Sequence, residues 1–252
     1  MTLETFLEKA DAPERSVAVL NRTAPEPFQI MLEKLFEEQA VSISEKVSEE
    51  YTEDTVALLE NGEVVAHSPL KELQDAILLV NSDIFITGTR SLEQTRVPEV
   101  LDGLAGVRFS LRGYPESNTE KLLLILISRY IEKRAFNDQK GTLRSSFQRL
   151  SRLEDEQGTR NVYERVAATD VDVHVYGQPD WTNPPEFEVV MHGGYSFDFR
   201  SSWFVIHTPP EGSEYEPAAL LAIEIDDREW DGMWTYDPEF INKLTQHIQT
   251  TL

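Results

Sequence analysis

The chain of 252 residues contains no cysteine, which excludes disulfides, thiolate nucleophiles and cysteine-ligated zinc. Basic residues are scarce: 23 Lys+Arg stand against 45 Asp+Glu, for a formal net charge of −22. Nucleic-acid binding depends on Lys and Arg neutralising phosphates, so this balance argues against direct contact with DNA or RNA. Long apolar runs are also lacking. The longest aliphatic run, Leu122 to Ile127, has six residues, far below the ~20 that span a bilayer. The acidic start MTLETFLEKADAPERS is no signal peptide. No membrane insertion is expected, and the expected location is the cytoplasm.

Enzyme signatures are missing as well. There is no phosphate-binding G-x-x-x-x-G-K-S/T loop, no G-x-G-x-x-G after a strand, no G-x-S-x-G and no H-E-x-x-H. The histidines at 67, 174, 192, 207 and 247 are scattered. His192, ahead of Gly193-Gly194 and near Asp198, lacks the further ligand a metal would need. Neither catalysis nor a resident metal is expected, and no cofactor is read from the residues.

What is present suffices for a packed core: 40% of the residues are hydrophobic and 10% aromatic. An acid excess of this size keeps a protein hydrated in concentrated salt, where screening removes its self-repulsion. The basic set leans the same way, with 15 Arg and 8 Lys. The composition fits a halophilic archaeon with a salty interior; an ordinary acidic cytosolic protein is the alternative. The charge is uneven, with net −12 over residues 1–89, +3 over 90–165 and −13 over 166–252. Within that basic island, Arg144, Arg149 and Arg152 are candidates for holding an acidic partner, because guanidinium forks suit carboxylates and phosphates. Internal pairing with the acidic flanks is the other reading.

Periodicity gives an α/β order. The first eighty residues read helix (2–10), strand (16–20), helix opening at Thr23-Ala24-Pro25, strand (41–44), a hairpin across Asn61-Gly62 and a helix from Pro69. Ile84 to Ile86 is a strand or a connection. Ser117-Asn118-Thr119-Glu120 forms a capping box for a helix to about Phe136, apolar on most sides and so central. Its end, Glu132-Lys133-Arg134, is expected to set cations against the helix carbonyls. Residues 143–153 fit a strand or a bent helix, and 159–168 a helix. Strands then follow at 171–175, 187–191, 203–207, 218–225 and 229–236, with a last helix opened by Asp237-Pro238. The fold class expected is α/β, a mixed sheet with flanking helices whose C-terminal half is a largely antiparallel sensor-like sheet packed on the long buried helix. The expected division is an N-terminal α/β part, 1–112, and a C-terminal part, 113–252, packed as one unit.

Polar and aromatic residues gather between 174 and 237, including all four tryptophans, at 181, 203, 230 and 234. A pocket with aromatic walls and a few polar groups is what a small ligand needs, whereas the same residues also pack β cores. Candidate ligand residues are His174, Tyr176, Asp180, Trp203, Glu224 and Trp234, with His174 and Tyr176 placed on opposite sides of their strand. Glu224, inside an apolar strand, costs stability unless it finds a partner.

The order Val173 to Trp181, Ser202 to Ile206, Ala219 to Glu224 and Trp230 to Pro238 resembles the DICT sensory-domain family. Upstream, Ser128 to Ala135, Gly141 to Leu143 and Phe147 to Ser151 look like its stand-alone haloarchaeal branch. The resemblance implies non-catalytic signal reception, including light-linked responses, with no established ligand. No output domain follows in the sequence, so any output is expected to pass through a signalling partner, with cell shape, motility or a light response as outcomes. A ligand-free adaptor working through the basic 140–165 region is the alternative.

Overall fold

The computed structural model describes residues 2–9, 15–21, 23, 41–82, 97–112, 119–182 and 187–252. The helix expected after Thr23, the 84–86 segment, and Ser117 and Asn118 of the capping box lie outside them.

A short helix α1 (Glu4–Glu8) precedes β1 (Arg15–Leu20), β2 (Val41–Lys46), β3 (Thr55–Glu60) and β4 (Glu63–Pro69). These strands form one sheet in the order β2-β1-β3-β4. The β3–β4 hairpin turns through Asn61 at φ 53° and Gly62 at φ 85°, the left-handed pair that Asn-Gly supplies and that matches strand twist. Then come α2 (Leu70–Ser82), the single turn α3 (Glu99–Asp102) and β5 (Arg108–Arg112). The long helix α4 (Thr119–Asp138) leads into β6 (Lys140–Arg149), α5 (Arg152–Asp155), α6 (Gln157–Ala167), β7 (Asp170–Gln178) and β8 (Val190–Gly193). The chain continues as α7 (Phe197–Ser201), β9 (Ser202–Thr208), β10 (Ala218–Asp226), β11 (Glu229–Thr235) and α8 (Pro238–Thr251).

The second sheet has seven strands in the order β5-β11-β10-β9-β6-β7-β8. Pairing is antiparallel from β5 to β6 and parallel through β6, β7 and β8. The expected class, a mixed α/β fold with a largely antiparallel C-terminal sheet on a long buried helix, is the one found. The division expected at 112/113 falls just after β5, which pairs with β11 of the large sheet.

Alternation along the strands gives the large sheet two faces. Leu143, Val173, Val205 and Leu220 share one cluster with Leu124, Ile127 and Ile131 of α4, and the same cluster takes in Val17 and Leu58 of the small sheet. Phe204, Ile206, Leu221 and Ile223 face the other way, under Leu3 and Leu7 near and in α1 and Ile241 and Leu244 of α8. The α8 start behaves as its sequence dictates, with the Asp237 side chain accepting from the Glu239 amide at 2.9 Å and proline in the first turn.

One expectation about α4 is corrected. The helix runs on to Asp138 with no basic residue in its last turn, so Glu132 and Arg134 are not an end cap. Glu132 is buried beneath α6. The Arg134 guanidinium lies over Tyr130, Tyr215 and Tyr236, 5.0–5.6 Å from their ring centroids, a cation held by ring quadrupoles.

Candidate functional site

Parallel registration of β6, β7 and β8 sets Arg144 beside His174 and Tyr176 beside His192. The placement of His174 and Tyr176 on opposite sides of β7 is wrong, because residues two apart on a strand share a face. Both rings reach His192. His174 Nδ1 is 2.9 Å from His192 Nε2, one nitrogen donating and the other accepting. Tyr176 stacks on the His192 ring with centroids 4.3 Å apart and planes 7° apart. Arg144 NH1 donates to the Tyr176 hydroxyl at 2.8 Å.

Arg144 is 7% exposed and Tyr176 1%, while the two histidines stay half-buried. Burial, then the Arg144 charge, then His192 bring His174 down to about 4, against an opposing pull from Asp172. Burial and Arg144 also lower His192. Both imidazoles are therefore neutral near pH 7, and Arg144 is the charge that acts on both. Burial raises the Tyr176 hydroxyl, with Arg144 working against it, so it stays a neutral donor. The helix α7 packs against β6 and β7 beside this cluster. Its approach needs Gly194, where a Cβ would lie 2.2 Å from Cε2 of Phe199. Asp198 of α7 is buried with Oδ1 lacking a hydrogen-bond partner.

Trp203 and Glu224 lie on the other face, toward α4. There β6 carries a bulge, its register shifting between Ser146 and Arg149 with Gln148 at φ 59°. The bulge sends the Gln148 amide to Glu224 Oε2 at 2.8 Å and lets its oxygen accept from Arg152 NH2 at 3.0 Å. Glu224 Oε1 also accepts from the Arg228 amide at 3.3 Å. The partner that an internal carboxylate requires is thus supplied. Arg152 lies 6.0 Å from the Trp203 ring centroid, and Trp203 Nε1 donates to Ser128 Oγ of α4 at 3.0 Å.

Asp180 and Trp234 belong to neither cluster. Asp180 is exposed and accepts from the Ser151 amide and hydroxyl, both at 2.9 Å. Trp234 is 2% exposed, edge-on to Tyr130 and Tyr236. The three arginines are likewise dispersed: Arg144 is buried, Arg152 turns to Gln148 and Trp203, and Arg149 is exposed. Sequence reasoning missed two members of these clusters. His192 was weighed only as a metal ligand, and Gln148 carried no signal because its role depends on the bulge. Among the described residues, no group of three His, Asp or Glu could hold a metal ion, and no helix is long and apolar enough to cross a membrane.

Over residues 99–224, half of its length, the chain matches the DICT family, described as the sensory domain in diguanylate cyclases and two-component systems. The chain belongs to this family, and so to a class of sensory domains found in signalling proteins. The matched stretch runs from α3 into β10 and holds both polar clusters. No curated protein matches the chain. Among solved structures, polyphosphate kinase from Porphyromonas gingivalis is similar at TM-score 0.38 and 8% identity, over 98% of this chain and 47% of that one. The chain thus spans less than half of that protein, and a likeness at this level carries no argument about activity.

Proposed function

We propose that the chain is a non-catalytic cytoplasmic signalling module. It receives a small ligand at the β6–β8 edge of the large sheet and passes the change to a protein partner. The observation that carries this reading is the convergence of Arg144, His174, Tyr176 and His192, buried at its base and half-open at the imidazoles. Donors, an acceptor and stacked rings at one place are the makings of a small-molecule site. Of the six residues picked from the sequence, His174 and Tyr176 would touch the ligand. Trp203 and Glu224, tied to β6 through Gln148 and Arg152, would answer its movement from the other face. Asp180 and Trp234 would hold the frame. The dispersal of Arg144, Arg149 and Arg152 gives the adaptor reading less support.

The test uses the full chain purified in concentrated potassium chloride from a halophilic host. Its absorption spectrum is recorded, and whatever is released on denaturation is identified by mass spectrometry. A stoichiometric molecule that is lost in Tyr176→Ala, with folding retained, is the expected result. Retention of that molecule in the variant would move the site elsewhere. An empty chain whose partner capture depends on Arg149 would replace this reading with the adaptor.

A further inference from the structure

Arg144 stands apart from other well-placed arginines of this chain. Arg15 pairs with Glu60 at 2.8 Å, Arg129 with Glu132 at 2.6 Å, and Arg108 grips Asp231 with both faces of its fork. Arg144 is only 7% exposed, yet among the described residues it makes no ion pair. It spends NH1 on a phenol, and its Nε is buried with no acceptor. A guanidinium taken out of water without a counter-charge is costly. Shortage of acids is no explanation in a chain with 45 Asp+Glu. Asp198, on the helix packed against β6 and β7, forms no ion pair with it and keeps its own Oδ1 unpartnered.

The surroundings narrow what completes the site. The phenol that accepts from the guanidinium keeps its own O–H to donate, and of the two neutral imidazoles one keeps a free N–H, the other's being spent on the bond between the rings. A cation would meet the Arg144 charge. An oxyanion would meet charge-assisted donors, for which the guanidinium fork has matching geometry. Resting on the sensory reading above, we infer that the ligand of the β6–β8 site is a small molecule bearing an oxyanion, a carboxylate or a phosphate, whose negative group binds Arg144 beside His174, Tyr176 and His192.

The test titrates the full chain with inorganic phosphate and, separately, with acetate, at constant high potassium chloride. The imidazole Cε1–H signals of His174 and His192 are followed by NMR. A saturable shift of both rings with at least one anion is expected. It should weaken at least tenfold in Arg144→Gln and stay unchanged in Arg149→Gln, an exposed arginine on the same strand. Phosphate against acetate separates the two oxyanion classes. If Arg144→Gln loses its near-ultraviolet dichroism, Tyr176→Phe replaces it, since it removes the hydroxyl that holds Arg144 NH1 in place; weaker anion binding is again expected. Silence of the wild-type rings toward both anions, or an equal response in Arg144→Gln, overturns the inference. A neutral molecule released from the purified chain, together with that silence, overturns the oxyanion class and leaves the sensory reading standing. Anion binding that depends on Arg144 but never alters partner capture keeps the site and removes the sensory reading.

Discussion

Glu132, buried on α4, accepts a hydrogen bond from the Tyr163 hydroxyl of α6 at 3.0 Å and an ion pair from Arg129 at 2.6 Å. The same phenol is 2.5 Å from Ser145 Oγ of β6, so one side chain ties two helices to the sheet. Burial, then the Glu132 charge, push the phenol well above its ordinary range, which keeps it a donor. Tyr163→Phe should cost about 1–3 kcal/mol, the usual cost of stranding a buried acceptor. Glu132→Ala should cost more, about 3–5 kcal/mol, because it also breaks the buried ion pair with Arg129. Urea unfolding of the two variants beside wild type checks the order; equal losses would mean the ion pair adds nothing.

Asp180 separates a structural role from a ligand role. Burial works against its ionisation, but the bonds from Ser151 outweigh it and hold the carboxyl below its usual range. Asp180→Ala should therefore lower stability by about 1–2 kcal/mol through the lost bonds to Ser151. Retention of any co-purifying molecule should be unchanged. Loss of that molecule at full stability would return Asp180 to the site.

Acid should weaken the fold through two histidines. His207 has no exposed surface, and burial brings it to about 4, with Arg134 adding to the shift and Asp138 opposing it. His174 also falls to about 4. With folded values below the ordinary 6.5, the unfolded chain takes up protons that the folded one refuses. This stability is complete above about pH 6.5 and drains away as pH falls toward about 4. The urea midpoint should be lower at about pH 5 than at about pH 7.5, and less so in His207→Asn. A midpoint that rises on acidification would contradict the assignment.

Gly194→Ala tests how α7 reaches the candidate site. A Cβ there would sit within the Phe199 ring edge, 2.2 Å from Cε2 and 2.4 Å from Cδ2. The ring must shift, so stability should drop by about 1–3 kcal/mol, and the NMR signals of His174 and His192 should move with α7. A variant as stable as wild type, with unmoved histidine signals, would show that α7 repacks freely.

Local chemistry was legible wherever it alone decides structure. Asn61-Gly62 announced its hairpin because few other pairs adopt two positive φ values. The apolar core of α4 announced burial, and the Asp237-Pro238 start of α8 needs only its own side chains. Register was not legible. Parallel pairing of β6 with β7 joins residues 30 apart, Arg144 with His174, and of β7 with β8 residues 16 apart, His174 with Val190, so the meeting of Arg144 with Tyr176 left no trace in the spacing. The strand expected over 187–191 is found at Val190–Gly193. Five-residue α7 is too short for helical periodicity to register, and with it went the lining of the site. Glu224 shows the intermediate case: its need for a partner was plain, its partner was not.

The pairing of β5 with β11, clasped by Arg108 and Asp231 across 123 positions of sequence, sets an order of events during synthesis. Among the described residues, β5 lies at the sheet's edge and pairs with β11 alone. It therefore emerges from the ribosome with no strand to join, and waits while the residues up to Thr235 are added. The cost of closing so long a loop grows only with the logarithm of its length, so the wait, more than the closure, is the exposed step. During it an unpaired edge rich in Arg travels beside a nascent acidic chain. Its Arg108 charge acts as a gatekeeper against wrong pairing, guarding β5 until its own strand arrives.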